Sequence, residues 1–230
     1  MNKKIKVTKD GPYLVTGSVP LEKEYADGDQ SAAIEWVKSD PYPLQENCAL
    51  CRCGATANPP YCDGAHRKIS FDGTETAKNI PYLEQAETTR GPGMDLTDAE
   101  SFCAIALFCH QAGDTWTHAE NSGDPGQKKM AIREACACPS GRLVAWEKNS
   151  GKPIEPAFEP SISVVESRAQ KVSGPLWVKG GIPVESASGM QYEVRNRVTL
   201  CRCGKSSNKP FCDGTHTRTG FNDGDPSLRP

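Results

Sequence analysis

Apolar and polar positions alternate in short runs over the first 25 residues. Ile5-Lys-Val-Thr alternates, Asp10-Gly-Pro marks a turn, and Tyr13-Leu-Val-Thr-Gly-Ser-Val-Pro-Leu21 resumes the pattern, which predicts strands. The run returns late in the chain as Gly174-Pro-Leu-Trp-Val-Lys-Gly-Gly-Ile-Pro-Val184. Residues 22–42 are polar apart from Ile34-Glu-Trp-Val and read as a surface loop or one helical turn. Residues 74–93 are again polar and close on Gly91-Pro-Gly, which reads as a linker, and the tail from Asp223 to Pro230 reads as disordered.

Between 94 and 160 the period changes. Thr97-Asp-Ala-Glu100 has the form of a capping box, opening an apolar helix over 102–109. Asp124-Pro125 opens a second helix over 126–137 that stops at Pro139, because proline suits the first helical position. Leu143-Val-Ala-Trp and the run from Ile154 then form a hairpin around Asn149-Ser-Gly.

Composition narrows the class. Glycine (21) and proline (18) make up about 17% of the chain against roughly 12% on average, which predicts many turns and short elements. A net charge of −2 gives no basic footprint for nucleic acid. No apolar run approaches the roughly 18 residues of a membrane helix, and the charged N-terminus lacks the apolar stretch of a secretory leader. A soluble, cytoplasmic protein is expected. In that setting, eleven cysteines argue for metal rather than disulfides.

Six of those cysteines fall in a stretch that occurs twice, from Cys51 to His66 and from Cys201 to His216. Both copies read C-x-C-x2-[ST]-x3-P-x-C-D-G-x-H, and Cys51 and Cys201 stand 150 positions apart. Three thiols and an imidazole at fixed spacing form a coordination set that selects zinc or iron–sulfur chemistry. Cys51 and Cys53 can converge only on a turning backbone. Gly54 and Gly204 permit positive φ or close approach there. Asp63 and Asp213 supply a turn or a cap, and the four-residue step from Cys62 to His66 suits one helical face. Phe71 and Phe221, in matched positions after the histidines, are expected to cover an edge of each site.

The two copies resemble the CDGSH iron–sulfur domain of the NEET family, with Ala65 and Thr215 in place of the usual serine. The resemblance implies two 2Fe–2S clusters, ligated by Cys51, Cys53, Cys62 and His66 and by Cys201, Cys203, Cys212 and His216. Family members are homodimers with a strand-built cap. The resemblance therefore implies an α+β fold in which 1–75 and 161–230 are two cluster-binding repeats forming an intramolecular, monomeric pseudo-dimer. Residues 76–160 would be an inserted helical and hairpin segment. Its Cys103-x5-Cys109 and Cys138-Pro-Ser-Gly resemble a divergent single-cluster ferredoxin-like domain, but three cysteines align and Cys136 would have to substitute for a fourth. These cysteines are left off the ligand set, and Cys48 reads as packing.

Replacing one thiolate by neutral imidazole removes a negative charge. The potential should then lie between those of plant-type ferredoxins and Rieske centres. Histidine also titrates near neutrality, so a proton can compete for the ligating nitrogen in mild acid. With no nucleotide fingerprint or nucleophile constellation in the chain, the expected role is electron or cluster transfer to an unidentified redox or acceptor protein, not catalysis. A structural zinc module and a redox enzyme component using the middle segment are the alternatives.

Overall fold

The computed structural model describes residues 2–29, 32–39 and 41–228. The first half gives β1 (Lys4–Val7), β2 (Tyr13–Thr16), β3 (Leu21–Gly28), β4 (Ala33–Lys38), β5 (Asn47–Leu50) and the one-turn helix α1 (Ala65–Lys68). The middle gives β6 (Glu87–Arg90), β7 (Met94–Asp98), α2 (Thr115–Glu120), α3 (Pro125–Ala137), β8 (Leu143–Glu147) and β9 (Pro153–Ile154). The last part gives β10 (Ser161–Ser167), β11 (Val172–Lys179), β12 (Val184–Glu185), β13 (Arg197–Leu200) and α4 (Thr215–Arg218).

Two sheets are built from both halves. One runs β12-β1-β2-β5 and the other β13-β11-β10-β3-β4. Within them β12 crosses to pair in parallel with β1, Ile5 opposite Val184, and β3 crosses to pair in parallel with β10, Leu21 opposite Ile162. Each half therefore lends a strand to the other's sheet. Their inward faces share one core, in which Ile5, Tyr13, Leu50, Ile162, Leu176 and Leu200 are fully buried. Such burial contributes roughly 1.5–3 kcal/mol per large side chain. Lys179 on β11 reaches Glu22 (2.8 Å) and Glu24 on β3, so a buried ion cluster also joins the halves.

The strands expected in the first 25 residues and around Gly174–Val184 form. Residues 22–42 correct the expectation of a surface loop or helical turn. They continue β3 and add β4 as an extra edge strand, Tyr25 opposite Val37, because Trp36 stacks on Phe108 at 4.5 Å and donates to the Ala137 carbonyl at 3.0 Å. Tertiary contact overrides a polar local pattern here.

The middle segment folds on its own sheet, β6-β7-β8-β9, with Met94, Leu96, Ala131, Ala135 and Leu143 in a second core. Helix α3 forms as expected, with Asp124 accepting from the Gln127 amide at 2.9 Å, and β8 and β9 form the hairpin. The capping-box expectation is wrong. Thr97 lies on β7, its buried hydroxyl paired with the Tyr82 hydroxyl (2.9 Å) and accepting from Trp146 Nε1 (2.8 Å), so no helix starts there. Residues 102–109 are not a helix either: Ile105 and Leu107 take φ of 50° and 61°, leaving two single 3-10 turns on either side. Gly91-Pro-Gly is no linker but the β6–β7 turn, closed by the Gly91 amide on the Met94 carbonyl at 3.0 Å.

The tail is ordered through Leu228, correcting the expectation of disorder. Asp225 and Leu228 are buried, and Asp225 pairs with Lys23. Residues 229 and 230 lie outside the described residues. Among the described residues no helix is long and apolar enough to cross a membrane.

Candidate metal centres

Each motif leaves a strand, loops out, and returns beside it. After β5 the Cys51 amide donates to the Pro60 carbonyl (2.8 Å) and the Cys62 amide to Ala49 (2.9 Å); after β13, Cys201 and Cys212 repeat this with Pro210 and Thr199 (2.8 Å each). The first and third cysteines are thereby set side by side. The Ser/Thr of the motif fastens the loop: Thr56 donates to the Tyr61 carbonyl and Ser206 to Phe211, both at 2.7 Å. The aspartate after the third cysteine spans the same loop, Asp63 accepting from Ala57 and Ala65 and Asp213 from Ser207 and Thr215. Burial pushes the Asp213 carboxyl up, but the donors more than offset it and hold it at about 2.

The structure brings both predicted ligand sets together. Cys62 and Cys212 are not on the helices, as the four-residue step suggested. Gly64 and Gly214, left-handed at φ 87° and 78°, turn the chain before α1 and α4, and this turn presents the imidazoles. In each set the donors fall into two pairs. Sγ of Cys51 lies 3.7 Å from Sγ of Cys53, and Sγ of Cys62 lies 3.4 Å from Nδ1 of His66. In the second copy the values are 3.7 Å and 3.3 Å. A tetrahedral metal with bonds of about 2.3 Å to sulfur and 2.0–2.1 Å to nitrogen has S···S edges of about 3.8 Å and S···N edges of about 3.5 Å. Each set therefore offers two tetrahedral edges. Among the described residues no three such donors are placed to hold a single ion. The donor set fits a two-metal group.

Burial pushes the Cys53 thiol up to about 11 and the Cys212 thiol well above its ordinary value, so thiolates at these two positions call for a metal's positive charge. Burial likewise lowers the His216 imidazole to about 4, keeping it neutral and able to ligate.

Two features were not foreseen. The arginine between the paired cysteines is buried in both copies: Arg52 donates to the carbonyls of Thr8, Gly11 and Gly73, and Arg202 to those of Val165 and Gly174 and to the carboxylates of Glu166 and Asp223. Phe71 and Phe221 stack over these guanidiniums at 5.2 Å and 5.5 Å. The glycines also do more than turn. A Cβ on Gly54 would stand 2.7 Å from the Cys203 carbonyl oxygen, and one on Gly204 2.6 Å from that of Cys53, so the two loops lie back to back. The hydroxyl of Tyr13 joins the contact by donating to the Cys201 and Pro210 carbonyls. The motif's own glycine was the only signal for this.

In the middle segment Cys103, Cys109 and Cys138 line one cavity, while Cys136 turns away and donates to the Ile154 carbonyl at 3.5 Å. Cys48 packs on β5 against the main core, as expected.

Comparison with known families agrees with this layout. Residues 10–67 and 173–217 match the iron-binding zinc finger of CDGSH type, and residues 89–148 match the divergent 4Fe-4S mono-cluster. No curated protein and no solved structure matches the chain. With two CDGSH segments flanking a divergent ferredoxin-like one, each over its own thiols, the chain belongs to the CDGSH iron–sulfur family as a tandem-motif member.

Proposed function

We propose that each CDGSH set holds one 2Fe–2S cluster, with two thiolates on one iron and a thiolate and an imidazole on the other, and that the chain carries electrons or clusters between proteins. The observation that carries this reading is the pairing of donors into two tetrahedral edges per site. A bound cluster supplies one-electron redox chemistry, and the neutral imidazole makes its total charge less negative than four thiolates would. The chain's own part is to fix the donors, keep the second set dry and leave the first within reach of a partner. His66 borders an open cleft with Lys9 and Arg67 on its rim, a surface suited to an acidic partner protein.

The exchange of β3 and β12 supports an intramolecular pseudo-dimer with a shared cap, and repeats near 1–75 and 161–230 around an inserted 76–160. A carrier rather than a catalyst is the reading that suits it. The test is iron, zinc and acid-labile sulfide per chain after anaerobic purification, with replacement of Cys62 and Cys212 singly. Each replacement should remove about two irons and two sulfides. Zinc without sulfide in the parent would overturn the reading.

A further inference from the structure

The cavity in the middle segment has a volume of about 110 Å³, many times the 10–15 Å³ that one water needs. Its walls are mostly apolar, and three thiols reach it from three pieces of chain. Cys103 follows the first 3-10 turn, Cys109 lies in the second, and Cys138 caps α3. Between the first two, the left-handed Ile105 and Leu107 force the chain into an arc. A β-branched residue in this region costs about 1–3 kcal/mol, a strain that structures keep where geometry is over-determined. The thiols of Cys103, Cys109 and Cys138 neighbour one another across the cavity. Arg142, held by Asp98 at 2.6 Å and 2.8 Å, lies beside this group.

A four-iron cluster of the usual kind takes four cysteines. The structure offers three. Cys136 is fixed on the far side of its backbone, where Arg197 binds the carbonyls of Ala135, Cys136 and Cys138 and pairs with Glu155. His110 stands exposed at the rim, its ring 6.0 Å from that of Trp116. We propose that Cys103, Cys109 and Cys138 are the only protein thiolates of a third cluster site, and that the fourth iron corner takes a solvent oxygen donor. This iron is then exchangeable, unlike those of the other two sites. The site abuts the second CDGSH loop: a Cβ on Gly214 would meet the Ile105 side chain and stand 3.1 Å from the Cys103 carbonyl oxygen.

The proposal does not depend on what the CDGSH sets bind, and the experiment separates the two. The full chain, purified anaerobically, is assayed for iron, zinc and sulfide alongside Cys103→Ser, Cys109→Ser, Cys138→Ser and Cys136→Ser. The parent should hold about eight irons. Cys136→Ser should match it, and each of the other three should lose about four irons while the visible absorbance of the CDGSH clusters persists as a record of folding. Ferricyanide treatment of the parent should take one electron from the dicationic four-iron core, release one Fe2+ and leave a monocationic three-iron core with its own paramagnetic resonance signal. Ferricyanide becomes ferrocyanide in that step. Loss of the four irons in Cys136→Ser, the parent's full iron content in Cys103→Ser, Cys109→Ser or Cys138→Ser, or zinc in the cavity would each overturn the proposal. Should the serine variants fail to fold, the oxidised parent decides: no three-iron signal means the fourth corner is held by the protein.

Discussion

The two CDGSH sites share a ligand set and a loop, yet they meet different surroundings. Gly64 faces open space, whereas its counterpart Gly214 is covered by Ile105 and the Cys103 backbone. His66 is half-buried and His216 is 4% exposed; Cys53 and Cys62 are partly open while Cys203 and Cys212 are buried. Among the described residues Arg52 donates to backbone carbonyls, and Arg202 donates also to two carboxylates. The sequence motif decides what each site can bind. What covers it is set by the segment between the repeats, which lies against Gly214 of the second site and leaves Gly64 of the first open.

The harshest way to break this comparison is to part the sites from each other. Gly204→Val puts a side chain against the Cys53 carbonyl at a left-handed position, which alone costs about 1–3 kcal/mol. We expect both sites to lose metal and the melting temperature to fall by several degrees. Loss confined to the second site, read from metal content in variants that keep one ligand set, would show that the loops do not support each other.

A gentler change should erase the difference. Ile105→Gly uncovers Gly214 and also relieves a strained backbone, so stability should change little. In the parent, a chelator in mild acid should bleach the first site well before the second, giving two phases. In Ile105→Gly the phases should merge into the faster one. Two unchanged phases would mean the middle segment does not protect the second site.

The smallest expected effect concerns the charge beside Arg202. Burial pushes the Glu166 carboxyl up from 4.5 to about 7, with its second oxygen unpaired. Between these values the folded chain keeps a proton that the unfolded chain releases, so this group makes stability fall as pH rises from about 4.5 to about 7. Glu166→Gln should flatten that slope in thermal melts taken across the window, and Asp223→Asn, which removes a like charge that helps keep the proton on Glu166, should lessen it. An identical slope in Glu166→Gln and the parent would show the carboxyl to be ionised throughout.

Much of this could be read from residues. The donors and the turns around Gly54 and Gly204 were legible because coordination fixes residue type and spacing. Helix α3 was legible because Asp124-Pro125 states its start locally. What failed depended on distant partners. Thr97 has the local form of a cap, but Tyr82 and Trp146 claim its hydroxyl. Residues 33–38 look like loop until Trp36 meets Phe108. The exchange of β3 and β12 leaves no mark on either strand, since each would alternate the same way in its own sheet. Cys103 and Cys109 fall in a run that reads as an apolar helix, because nothing near them signals the kinks at Ile105 and Leu107.

The joining of both repeats in one chain with exchanged strands has a further consequence. In a symmetric pair of identical subunits every substitution appears twice, so a change that suits one site is imposed on the other. Here a residue near Gly214 can change while its counterpart near Gly64 stays as it was. Gly11-Pro12 and Gly174-Pro175 stand 163 positions apart but the motifs only 150, and the 13 residues by which the first half is longer include β4, which has no counterpart among the described residues of the second. Freed from its mirror image, each site can specialise by a single substitution, and the fixed linkage keeps the two specialists in equal number and at constant separation.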